Sequence, residues 1–247
     1  MNAVILIQAR WGSSRLPGKV LLPLAGRPVL SHVVARCREV KEAVVVATST
    51  AAGDDAVAVA AEVCGAAVFR GPEDDVLGRF AAAARTFPAD HYVRVTADCP
   101  LTDPALVAEV LTAHIAGGYD FSYNDIPTAY PSGYDVEVMT AAALAWTDEH
   151  CRDAASREHV TPYFFDHPGD FKVLRVGGPA GLFPAGLRLA LDETADYEML
   201  QVIFARLDGR GLFGFRDVAA LLAAEPALLA INRAVRPKER PPTPQAG

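Results

Sequence analysis

Within ten residues, Arg10, Arg15 and Lys19 place three cations among Gly12, Ser13, Ser14 and Gly18. Small residues let backbone N–H groups turn toward one centre, and three positive side chains around that centre neutralise a polyanion. The chemistry fits a triphosphate. The loop is not a Walker A loop: Gly12 to Gly18-Lys19 is one residue too long, and Val20 stands where a Ser or Thr would hold Mg²⁺. Nor does it carry the glycine spacing of a dinucleotide fingerprint.

Two carboxylates could complement such a loop. Asp98 lies in Ala97-Asp98-Cys99-Pro100, just past an apolar run, and Asp192 ends the run Leu187–Leu191. Mg²⁺ prefers one or two carboxylates together with phosphate oxygens, so Asp98 suits a metal; it equally suits a turn before Pro100. Further polar groups are candidates for recognition. Ala9, Thr48, Ser49, Arg70, Asp75 and Arg79 fall at the ends of early strands, where a nucleobase would sit, although Asp75 could simply cap a helix. Asp135 and Glu137 alternate with apolar residues and so share one side of a strand. Arg157, Glu158 and His159 open a helix, and with the two carboxylates they could hold a hydroxylated acceptor or form a structural ion-pair network. The histidines His32, His91, His114, His150 and His167 show no ligand spacing.

These residues need a scaffold. The periodicity predicts strands at Ala3–Ala9, Ala43–Thr48, Ala67–Phe69 and His91–Thr96. They alternate with helices at Pro28–Val40, Asp54–Cys64, Asp74–Phe87 and Asp103–Ile115, the last with Asp103 as N-cap and Pro104 in its first turn. Such alternation gives an α/β fold, a mostly parallel sheet with helices on both faces, in which ligands bind at the carboxyl ends of the strands. Residues 119–190 read as an inserted, β-rich excursion with strands at Asp135–Met139, Phe171–Val176 and Leu187–Leu191 and a helix at Arg157–Phe165. Helices follow at Thr194–Leu207 and Asp217–Ala224. The expected organisation is one domain over residues 1–235 and a disordered tail over 236–247.

Several blocks in order resemble one family. ARWGSSRLPGK is similar to the N-terminal signature of the cytidylyltransferases that activate 3-deoxy-manno-octulosonate and acylneuraminate sugars. FRGPEDDVLGRF, VRVTADCPLTDP, YPSGYDVEVM, SREHVTPYF and LRLALDETADYEML resemble its SpsF-type branch. The resemblance implies a Rossmann-like nucleotidyltransferase sandwich of the GT-A-like kind, with CTP or another NTP and Mg²⁺ as partners. It implies CMP transfer to a sugar or sugar-acid-like acceptor, a homodimer, and Asp98 and Asp192 as metal ligands. Arg10, Arg15, Lys19 and Asp98 become the catalytic set. Glu193-Thr194-Ala195-Asp196 departs from the branch's Thr-Pro-Glu-Asp, which bears on the helix start and leaves Asp192 in place. Rival readings are a nucleotide-sugar glycosyltransferase, which would usually show D-x-D at the metal loop, and a non-catalytic nucleotide-binding protein.

Bulk properties set the remaining bounds. The formal net charge of −7 argues against nucleic acid as a partner. Four cysteines without CxxC spacing read as reduced thiols of a cytoplasmic protein, and no apolar run reaches membrane-spanning length.

Overall fold

The computed structural model describes residues 2–41, 43–124, 126, 129–207 and 211–236. Strands β1 (Ala3–Gln8), β4 (Val44–Ser49) and β6 (His91–Thr96) are rich in β-branched and apolar residues, as expected of strands covered on both faces, and β5 (Ala67–Gly71) is a partly buried edge. Between them lie α1 (Val29–Arg38), α2 (Asp55–Val63) and α3 (Val76–Thr86), and α4 (Pro104–Gly117) follows β6. A two-residue-per-strand hairpin, β2 (Pro23–Leu24) and β3 (Arg27–Pro28), precedes α1. Asp103 caps α4 as its sequence predicts, its carboxylate accepting from the N–H groups of Ala105 and Leu106.

The second half corrects one expectation. Residues 119–190 do not leave the core: β7 (Phe121–Asn124), β8 (Glu137–Thr140) and β9 (Val173–Val176) extend the same sheet to seven strands in the order β5-β4-β1-β6-β8-β7-β9. Within this sheet β8 alone runs against its neighbours, β6 and β7, and the other strand pairs are parallel. Helices α5 (Ala141–His150), α6 (Ala154–His159), α7 (Pro162–Asp166), α8 (Thr194–Leu207) and α9 (Phe215–Ala224) complete the layers. Leu187–Leu191 forms no strand; it is extended chain with a single bridge from Ser132 to Arg188. Residues 237–247 of the expected tail lie outside the described residues.

Alternation along the strands builds two cores. Ile5, Ile7, Val93, Val95 and Val138 face α1, α4, α8 and α9, while Val4, Leu6, Tyr92 and Met139 face α3, α5 and α7. At the carboxyl edge the second face turns polar. Gln8, Arg94 and Glu137 continue the rows of Leu6, Tyr92 and Met139 across three adjacent strands.

The helix expected over Arg157–Phe165 is broken in two. Val160 sits at φ 70°, ψ −57°, and the Thr161 N–H donates to the His159 carbonyl at 2.9 Å. That is a γ-turn of the rare, strained hand. The Val160 side chain is wholly buried in the second core, which holds it there.

His91 and His114 do meet, contrary to their sequence separation: their rings stand 3.2 Å apart at Nδ1 and Nε2, and His114 Nδ1 is 2.8 Å from Ser122 Oγ. Burial, and secondarily His91, depresses the His114 pKa to about 4. A folded-state pKa below the unfolded value means that the unfolded chain binds the proton first, so stability is full above about pH 6.5 and falls toward pH 4. We expect His114→Gln to flatten that acid limb of a denaturant-midpoint-versus-pH curve, by up to about 3 kcal/mol at pH 4. An unchanged limb would assign the acid loss elsewhere.

Candidate active site

The loop after β1 is closed by Gly18, whose φ of 70° suits glycine and whose N–H bonds the Trp11 carbonyl at 2.8 Å. A Cβ there would lie 2.9 Å from the Trp11 indole nitrogen. The next residues, Lys19–Leu21, form a 3-10 turn that buries Val20 in the core and turns Lys19 inward. Its ammonium meets Asp98 Oδ2 at 2.5 Å, the Leu191 carbonyl at 2.7 Å and Asp192 Oδ1 at 3.0 Å. The other oxygen of Asp192 receives Arg15 at 2.9 Å and Arg188 at 2.5 Å. Burial by itself would lower the Lys19 pKa, but Asp98 and Asp192 outweigh it and raise it. Burial would likewise raise that of Asp192, and Lys19, with Arg15 and Arg188, lowers it.

Asp192 is fixed from behind. Asp196, in the first turn of α8, accepts from the N–H groups of Asp192 and Glu193, and Asn232 donates to both Asp196 and the Arg188 carbonyl. Despite the departure at Glu193–Asp196, Asp196 thus ties the first turn of α8 back to the two residues that precede the helix.

These groups surround a cavity of about 530 Å³ at the carboxyl edge of β1 and β6. Arg10, Gly12, Ser13, Ser14, Arg15 and Lys19 form a wall that Asp98 and Asp192 join, both in contact with Lys19. Asp135, Glu158 and His159 close the remaining side, and Arg10 lies 3.6 Å from Glu158. The sequence reading missed Gln8 and Arg188, which also line it. Arg188, Ala190 and Asp192 fall on one side of an extended chain, which is the signal that would have found Arg188.

The expected nucleobase residues are not brought to this wall. Ala9 is buried and extends the ladder to Ala47. Thr48 and Ser49 are wholly buried, and Ser49 Oγ accepts from the Ala51 N–H. Arg70 is spent on the carbonyls of Ser49 and Ala51 and on Asp55, stapling β5 to the turn before α2. Asp75 caps α3 through the Gly78 N–H. Arg79 is buried beneath its own loop, donating to the carbonyls of Pro72 and Glu73. Its burial depresses the guanidinium pKa to about 10.

Arg157 also lies off this cavity's lining, in the ion-pair network that its place in the sequence equally allowed. It grips Asp75 through Nε at 2.9 Å and Nη2 at 2.8 Å, Asp148 at 2.7 Å, and the Cys151 carbonyl at 3.0 Å. It thus ties α3, α5 and α6 together. Asp75 is partly exposed, which discounts the pair. Arg157→Ala is expected to cost about 1–3 kcal/mol, read as a lower urea midpoint, with nucleotide affinity unchanged. A loss of affinity at unchanged stability would return Arg157 to the recognition group.

Glu137 accepts from Arg94 and, at 2.7 Å, from Thr161 Oγ1; Arg94 also holds the Gln8 amide oxygen at 2.7 Å. Among the described residues no cluster of three or more His, Cys, Asp or Glu side chains could enclose a metal ion. Asp98 and Asp192 nevertheless converge on one ammonium. Two hard oxygen ligands on one point fit a divalent ion that completes its shell with water and phosphate. No helix of the described residues is long and apolar enough to cross a membrane.

A mostly parallel sheet whose carboxyl edge carries a cation-rich, small-residue loop facing two carboxylates is the architecture of a nucleotidyltransferase. The chain belongs to the cytidylyltransferase family, whose model matches residues 4–202. It is 32% identical over 234 residues to the spore coat polysaccharide biosynthesis protein SpsF of Bacillus subtilis, covering 92% of this chain and 96% of that one. A solved cytidylyltransferase from Leptospira borgpetersenii superposes with a TM-score of 0.87 at 32% identity, covering 93% of this chain and 97% of that one. A CMP:2-keto-3-deoxy-manno-octonic acid synthetase complexed with CTP shares the fold, with a TM-score of 0.65 at 20% identity over 83% of this chain and 99% of that one.

Proposed function

We propose that this cytidylyltransferase transfers CMP from CTP to a hydroxyl of a small sugar-like acceptor, releasing pyrophosphate, with Mg²⁺ as its metal. The observation that carries the reading is the Lys19 ammonium held between Asp98 and Asp192, beside Arg15, on the wall of one cavity. Cations meant for a triphosphate and carboxylates suited to a divalent ion here neutralise one another.

In the reaction the acceptor oxygen bonds the α-phosphorus, the bond from that phosphorus to the bridging oxygen breaks, and pyrophosphate leaves as the hydroxyl loses its proton. Arg10, Arg15 and Lys19 balance the charge of the departing pyrophosphate, with the backbone of Gly12, Ser13 and Ser14 at their side. Mg²⁺ on Asp98 and Asp192 would supply Lewis-acid polarisation of phosphate oxygens. Glu158 and His159 stand where they can meet the acceptor. The similarity to SpsF supports a place in polysaccharide biosynthesis, and a homodimer belongs to the same reading.

The test is pyrophosphate release from each of four NTPs with Mg²⁺ and a panel of sugars, amino sugars and sugar acids. CTP-dependent release with at least one acceptor is expected. Tight CTP binding by calorimetry without turnover on any acceptor would overturn the reading in favour of a nucleotide-binding protein.

A further inference from the structure

A cavity of about 380 Å³ is lined by the β2–β3 hairpin, α1, the end of α8 and the segment before α9. Among the described residues it shares no lining side chain with the active-site cavity. Its charged lining is of one sign. Arg27 comes from β3 and Arg36 from α1, with His32 one turn away on the same face of that helix, and no described Asp or Glu lines it. The chain as a whole carries a net charge of −7, so this is a local reversal.

Arg36 is only 3% exposed, and its guanidinium lies over the Phe213 ring, 4.6 Å from the centroid. It donates to the carbonyls of Phe213 at 2.8 Å and Thr102 at 3.4 Å, both through Nη1. A guanidinium carries five donors in a planar fork, so most of this one is not used by those two bonds. The charge of Asp103 reaches Arg36, but its oxygens accept from the N–H groups of Ala105, Leu106 and Phe215. Burial pushes the Arg36 pKa down, and the like charge of Arg27 pushes the same way. A buried charge is costly unless paired, and carbonyl dipoles supply only part of a pair.

The other walls are apolar. Phe204 and Phe213 meet edge to face, their centroids 5.2 Å apart and their planes at 76°. His32 stands edge-on to Phe204, held there by its Nε2 at 2.7 Å from the Leu24 carbonyl. Guanidinium forks match the oxygens of phosphate and carboxylate, and small-molecule sites combine such a polar anchor with aromatic surface.

We infer that this cavity binds a small organic anion, a phosphate monoester or a carboxylate with a planar apolar body, whose oxygens meet Arg36 and Arg27 and whose body lies on Phe204 and Phe213. The site is independent of the CMP-transfer reading. Phosphate and carboxylate share the anchor, and the probes separate them.

Calorimetric titration of the full chain with phenyl phosphate, benzoate and inorganic phosphate is the test. One of the two aromatic anions should bind with a Kd of about 1 mM or tighter. Inorganic phosphate, which lacks the apolar body, should bind at least about tenfold more weakly. Arg36→Lys keeps the charge and loses the fork, and should weaken the better probe about tenfold. Arg27→Gln leaves the buried bonds untouched, so it carries the test if Arg36→Lys fails to fold; it should weaken the probe at least about threefold. Lys19→Met, in the other cavity, should change the Kd by less than about twofold. Failure of both aromatic anions to bind, unchanged affinity in the folded arginine variants, equal binding of inorganic phosphate, or loss of binding in Lys19→Met overturns the site. Asp208 lies outside the described residues, and about a tenfold gain in Asp208→Asn would make its carboxylate the partner of the arginines and overturn the site as well.

Discussion

Lys19→Met is expected to lower turnover by about 10²–10³-fold, the loss that follows removal of one preorganised charge donor, and yet to bind Mn²⁺ more tightly in the absence of nucleotide. The second half follows from the geometry. The ammonium lies 2.5 Å from Asp98 and 3.0 Å from Asp192, and it bonds the Leu191 carbonyl as well. A divalent ion seeking those oxygens competes with a buried resident cation. Methionine keeps most of the side-chain volume and removes the competitor, while Asp192 retains Arg15 and Arg188. Calorimetric titration of the nucleotide-free protein with Mn²⁺ should show about a tenfold gain, on the order of 1.4 kcal/mol. Unchanged or weaker affinity would show that the ammonium and the metal do not share the Asp98 and Asp192 oxygens.

Asp98→Asn acts in the opposite sense. Asparagine preserves the shape, so the fold is expected to survive, with the thermal midpoint within a few degrees of the parent. What it loses is charge facing Lys19 and, on the proposed reading, Mg²⁺, and kcat/KM should fall by about 10³-fold, on the order of 4 kcal/mol. The measurement is pyrophosphate release alongside circular dichroism. Activity within tenfold of the parent would remove Asp98 from the metal site and leave it as a turn residue before Pro100. The pair of variants is informative because the two residues touch: on the proposed reading Lys19→Met removes a competitor for the metal, and Asp98→Asn removes one of its ligands.

The parts of the fold legible in the sequence are those set by local periodicity. β6 at His91–Thr96 and α8 at Thr194–Leu207 have the expected bounds, and the loop after β1 was recognisable from cations among small residues. What escaped is set by distant partners. β7 is a four-residue strand whose ladder exists only because β8 and β9 flank it. Leu187–Leu191 has a strand's composition, but its N–H groups go to Ser132 and Asp98 in loops rather than to a neighbouring strand. Among the site candidates, spacing could not show that Arg70 and Arg157 would be consumed by nearby carbonyls and carboxylates, because those partners lie on other elements. Gln8 was hidden because its importance comes from Arg94, which sits on another strand opposite Leu6, two positions before Gln8.

The γ-turn at Val160 has a consequence for how this enzyme can change. A β-branched residue at φ 70° carries a strain of about 1–3 kcal/mol. Burying its side chain returns roughly 1.5–3 kcal/mol, through packing in the core that includes Leu77, Phe80 and Phe164. That one turn sets the heading of Glu158 and His159 on one side and of Thr161, with its bond to Glu137, on the other. Evolutionary drift in core residues remote from the active-site cavity therefore reaches its wall through a single backbone joint. Mutant libraries intended to alter what the cavity binds should therefore vary Leu77, Phe80 and Phe164 together with the residues of its walls.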